Sequence, residues 1–154
     1  MLRRSLNVSI IAAVAAGLLP VAAQAQWWRR HPAYIHAMSD LRGAYWLIGH
    51  RDAGDPLTRD EERFALRQIL RAYQELKDAA IIDDTDITGR PPPNMNFYDH
   101  RGRLHRALDL LHEARADVLS ETEDPAAAGL RGRALDSIAA AAEATRLAIV
   151  AWNF

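Results

Sequence analysis

The chain of 154 residues contains no cysteine. No disulfide can staple it, no haem can be attached covalently through paired thiols, and no lipid-anchored lipoprotein can form. Lysine is nearly missing as well, since Lys77 is the only one and arginine carries the remaining positive charge. The formal net charge is −1. Without a basic excess the chain is not a general nucleic-acid binder, and it has no case as a strongly anionic-lipid-binding surface. Glycine-rich phosphate loops are lacking, and no Gly-x-Ser-x-Gly frames a serine as a nucleophile. The Glu-x-x-His pairs of di-iron bundles do not occur. Asp83, Asp84 and Asp86 lack the spacing and closing glutamate of a calcium loop, so they read as a solvated acidic segment. Strand-like alternation is nowhere long enough to compete with helical periodicity.

What the chain has at its start is a leader pattern. Arg3 and Arg4 form a positive segment, Val8 to Ala22 is an apolar run, and Ala23-Gln24-Ala25 gives a small-x-small cleavage site. Residues 1–25 are therefore expected to be a signal peptide, with cleavage after Ala25 and a periplasmic or secreted product. The apolar run is short for a membrane span, which takes about 20 residues. Loss of Arg3 and Arg4 shifts the net charge of residues 26–154 from −1 to −3. That mature chain is long enough for one domain folding on its own hydrophobic core.

The remaining sequence is written twice. An offset of 69 residues aligns His31 with His100, His36 with His105, Asp40 with Asp109 and Leu41 with Leu110. Without a gap it goes on to align Asp55-Pro56 with Asp124-Pro125, Ala65-Leu66 with Ala134-Leu135, and Ile69 with Ile138. Each copy is a helical hairpin, so the expected fold is all-α: an antiparallel four-helix bundle built from two tandem αα-hairpin repeats. Repeat 1 covers about 31–82, a connector 83–99, and repeat 2 about 100–154. In the simplest up-down-up-down order the first and third helices are diagonal.

The first helix is expected from Pro32 to Ile48, with Tyr34, Met38, Leu41, Tyr45 and Ile48 on one stripe. Gly49 ends it, and the short loop His50 to Gly54 leads to a second helix capped by Asp55-Pro56 and ending near Ile82. Leu66, Ile69, Tyr73, Leu76 and Ala80 form its seam. Leu104, Leu108, Leu111, Arg115 and Val118 mark the third, with Arg115 reaching out from the margin. The fourth, capped by Asp124-Pro125, has the seam Leu130, Ala134, Ile138, Ala141, Thr145, Ala148 and Trp152. The run Ala139 to Ala142 makes it unusually thin. Between the copies, Pro91-Pro92-Pro93 excludes helix, and Met95, Phe97 and Tyr98 are expected to pack down over one end of the bundle.

Each copy also offers a histidine and a carboxylate one turn apart: His36 with Asp40, and His105 with Asp109, followed by His112. Two imidazoles and two carboxylates are a ligand set for a transition metal such as zinc, copper or iron. These four are the candidate metal ligands; the same pairs could instead hydrogen-bond locally at the core margin. No catalytic residue is legible, and the chain is read as a non-enzyme. Trp27-Trp28-Arg29-Arg30, Tyr45-Trp46-Leu47 and Trp152 with Phe154 are bulky enough to serve a protein partner or a homodimer. The alternative to a ligand-binding protein is therefore a structural or interaction module of the cell envelope.

The string His31-Pro-Ala-Tyr-Ile-His-Ala-Met-Ser-Asp-Leu-Arg42, with Arg101-Gly-Arg-Leu-His-Arg-Ala-Leu-Asp-Leu-Leu111, resembles a group of small, exported, all-helical bacterial proteins of uncharacterised function. The similarity runs over most of the mature chain. It implies export and a helical bundle, and it brings no activity and no site residue.

Overall fold

The computed structural model describes residues 32–54, 58–80, 99–121 and 127–152. Four α-helices make up the described fold: α1 Pro32–Gly49, α2 Asp60–Ala80, α3 His100–Ser120 and α4 Ala128–Ala151. Among the described residues there is no strand. The expected leader 1–25, the expected connector 83–99 except Asp99, and the tryptophans Trp27 and Trp28 lie outside the described residues. So do both expected Asp-Pro caps.

Each helix buries the stripe its spacing dictates. Tyr34, Met38, Leu41 and Ile48 of α1 are buried, as are Ile69, Tyr73 and Leu76 of α2. On α3 the buried line is Leu104, Ala107, Leu111, Ala114 and Val118, while Arg115 is exposed. On α4 it is Ala134, Ile138, Ala141, Thr145 and Ala148. Thr145 satisfies its buried hydroxyl by donating to the Ala141 carbonyl, 2.8 Å away.

The broadest helix contacts are α2 with α4 and α1 with α3; α3 with α4 and α1 with α2 complete the ring. The first and third helices are thus packed neighbours, not a diagonal pair, and α1/α4 and α2/α3 scarcely meet. Alanine explains the closest seam. Ala65 and Ala72 on α2, with Ala141 and Ala148 on α4, are fully buried, and side chains that small let two helices approach closely.

Two helix starts differ from expectation: that of α2, and that of α4, which begins at Ala128, beyond the expected Asp124-Pro125 cap. Helix α2 begins at Asp60 rather than Pro56. Glu62 reaches back to accept the Arg59 N–H at 3.1 Å, the returning half of a capping box, and this fixes the start. Helix α3 is capped by Asp99, whose side chain accepts the Gly102 N–H at 2.7 Å. In the α1–α2 turn Gly54 has φ of 96°, a left-handed conformation that side chains resist.

Candidate functional site

One end of the bundle is tied together by a single carboxylate. Glu62, in the first turn of α2, is fully buried. Its Oε1 accepts from Nε2 of His100, 2.7 Å away on α3, and from the indole N–H of Trp152, 3.1 Å away at the end of α4. Its Oε2 accepts from the Arg51 guanidinium, which follows α1, and from the Arg59 N–H. An ionised carboxylate only accepts, and here each oxygen takes two donors, so the buried charge is fully met. Arg51 also donates to the carbonyls of Ile48 (2.7 Å) and His50 (2.8 Å), closing the carboxyl end of α1 where orphan acceptors and the negative helix pole lie.

Further contacts stiffen this clasp. Arg103 is buried and donates to Asp52 at 2.6 Å. The Arg59 guanidinium sits 4.0 Å above the Trp152 ring, and His100 meets that ring edge-on at 5.2 Å. His50 stacks on Trp46 at 4.2 Å. Glu62 and His100 resemble an acid–base pair, yet neither lines either of the two clefts described below. A general acid or base must reach a reacting atom. The arrangement links the end of α1, the starts of α2 and α3 and the end of α4.

The expected ligand set is distributed differently. His36, His105 and Asp109 are exposed and Asp40 is half-buried. Burial raises the Asp40 carboxyl to about 6, and Glu113 and Asp117 on α3 push in the same direction, against Arg106 and His36. Asp40 and His36 therefore do sense each other, as their spacing implied. Neither His105 nor Asp109 is among the groups that act on Asp40. Among the described residues no three or more histidine, aspartate or glutamate side chains gather as a metal-holding group.

Among the described residues, two clefts flank α4. Between α2 and α4 runs a cleft of about 570 Å³, with Phe64, Ala140, Ala144 and Leu147 as its apolar surface. Phe64 is 41% and Leu147 44% exposed, the opposite of their tendency to be buried. Its rim carries Asp60, ion-paired with Arg63, Arg67 over the Phe64 ring at 5.8 Å, Glu61, and Glu143, which is paired with Arg146, so the charge is nearly balanced. Between α3 and α4 a second cleft of about 420 Å³ is lined by Leu108, His112, Arg115, Ala139, Ala142, Glu143 and Arg146. The clefts share Glu143, and the alanine run between them is what keeps α4 narrow enough to leave both open.

The sequence marked the alanine run and Arg115 but not the clefts. Glu62 it presented only as favourable charge near a helix start; with an arginine at position 59, the sequence spells no capping box there, so the reach of Glu62 to the Arg59 N–H had no sequence signal. Trp152, grouped by sequence with the contact aromatics, is half-buried and held by Glu62. No family model, no curated protein and no solved structure matches the chain.

Proposed function

We infer that this protein is an exported, non-enzymatic helical bundle that binds a small uncharged apolar molecule in the cleft between α2 and α4. The cleft itself carries the reading. Its volume falls in the range of about 300–1,000 Å³ typical of small-molecule sites, and an apolar surface of Phe64, Ala140, Ala144 and Leu147 is framed by charged groups at the rim. Near-balanced rim charge favours a neutral occupant. The closed clasp at the bundle end supports a rigid frame rather than a reaction centre. Export rests on the leader pattern of residues 1–25; none of the described helices is long and apolar enough to cross a membrane.

The bundle is read as two repeated hairpins in an antiparallel ring. Four contacts support the antiparallel order. Arg133 near the start of α4 pairs with Glu75 near the end of α2, whereas Trp152 at the far end of α4 meets Glu62 at the start of α2. Arg103 at the start of α3 meets Asp52 just beyond α1. On the opposite side, Arg131 donates to the carbonyls of Val118 and Leu119, closing α3 much as Arg51 closes α1. In this order α2 ends and α3 begins at opposite ends of the bundle.

The binding reading is tested with N-phenyl-1-naphthylamine, an uncharged probe that brightens in apolar surroundings. Saturable binding at one site is expected, strongly weakened in Ala140→Trp, where a large side chain fills the half-buried floor. Absence of saturable binding, or equal binding by the variant, would overturn the reading.

A further inference from the structure

The cleft between α3 and α4 differs from its neighbour in charge. Two arginines and a histidine face one glutamate across it: Arg115 and His112 from α3, and Arg146 with Glu143 from α4. Glu143 is already spoken for. Arg146 donates to both of its oxygens, at 2.8 Å and 2.6 Å, and this hydrogen bonding holds the carboxyl below its usual range. Arg115 has no such partner among the described residues, and neither has His112 one residue-turn before it. At a position where the helical spacing calls for an apolar residue, α3 thus presents an exposed guanidinium with no ion-pair partner among the described residues. Beside it the lining is apolar: half-buried Leu108, exposed Ala139 and buried Ala142.

We propose that this cleft is a second binding site, for an amphiphilic organic carboxylate whose head is held by Arg115 and whose aliphatic body lies on Leu108, Ala139 and Ala142. A planar guanidinium matches a carboxylate with two parallel hydrogen bonds, which a neutral head cannot reproduce. His112 offers a further donor to the same head. The Arg146–Glu143 pair bounds the site, its own charges compensated, so Arg115 decides the sign of the ligand. With about 420 Å³ the cleft can accept a medium-length chain. This site does not depend on the α2/α4 cleft, because the two are on opposite flanks of α4 and share only Glu143.

Calorimetric titration of the protein as purified from cells tests this, with decanoate, decanol and decyltrimethylammonium as probes. With the α2/α4 cleft filled by Ala140→Trp, so that neutral probes cannot bind there, decanoate is expected to bind with one site, decanol at least fivefold more weakly, and the cation not at all. In Arg115→Gln, decanoate affinity is expected to fall about tenfold, as for loss of one charged hydrogen-bonded contact. Arg115 is exposed, so this variant should keep the wild-type melting temperature, and that is measured beside it. Ala140→Trp, which closes the other cleft, should leave decanoate binding intact. Equal binding of decanoate and decanol, no decanoate binding, or unchanged affinity in Arg115→Gln would each overturn the proposal.

Discussion

Two carboxylates set the behaviour of this molecule at the residue scale, and they do so in opposite ways. Glu62 is buried with four donors. Glu62→Ala would strand Arg51 and His100 beside an empty site, and urea unfolding is expected to show a loss of about 3–5 kcal/mol, the cost of breaking a buried pair from one side. Glu62→Gln should lose less, because one amide oxygen still accepts. Asp40 is the reverse case, a half-buried carboxyl raised to about 6 by burial and by Glu113 and Asp117. A raised carboxyl is better accommodated when protonated, so its contribution to stability is complete below the ordinary carboxyl value of 3.8 and is lost as pH rises from there through about 6. Solvent reaches this group, which keeps the effect to about 1 kcal/mol. Asp40→Asn should remove that share of the pH dependence; identical pH profiles for the two proteins would contradict the assignment.

The four residues expected to hold metal can be tested at the same scale. Zinc and copper titrations, read by thermal melting, compare the wild type with His36→Ala/His105→Ala. Because these side chains do not gather among the described residues, both proteins are expected to respond alike. A rise in melting temperature confined to the wild type would instead restore the four-residue metal site, by linkage of binding to folding.

At the scale of elements, periodicity was a good guide to burial and a poor one to neighbours. The stripes of α1, α2 and α4 were legible because a helix with one apolar face has few ways to hide it. Which helix packs on which was not, since a stripe names a face and not a partner. The pairing of α1 with α3 and α2 with α4 follows from contacts between residues far apart in the chain. Arg115 shows the limit differently: it fits the helical spacing of α3, yet it sits on an exposed cleft wall while Ala107 and Ala114 take the buried line. Helix starts were misplaced where a side chain reached back to the backbone, as Glu62 does to Arg59. Asp99→Ala should expose the value of such a cap, with a loss of about 1 kcal/mol in urea unfolding. Enlarging the α2/α4 seam should also be costly: Ala141→Leu inserts atoms where Ala141 is fully buried and is expected to destabilise by about 1–3 kcal/mol.

For the whole molecule, one thin helix shapes the account. Alanines 139–142 let α4 seat between α2 and α3, and the same small side chains leave a neutral cleft on one flank and a basic one on the other. The sequence showed the alanines but not the clefts, because open space depends on how three helices sit together. The leader pattern leads to a prediction independent of the fold: intact-mass measurement of protein recovered from the periplasm should give a chain beginning at Gln26. A full-length mass would contradict cleavage after Ala25.

The central claim, that the α2/α4 cleft takes an apolar molecule, is tested most directly by amide chemical-shift mapping during titration with N-phenyl-1-naphthylamine. The account predicts saturable shifts centred on Phe64, Ala140, Ala144 and Leu147, with the α1/α3 face unchanged. Shifts centred elsewhere, or none at saturating probe, would contradict it.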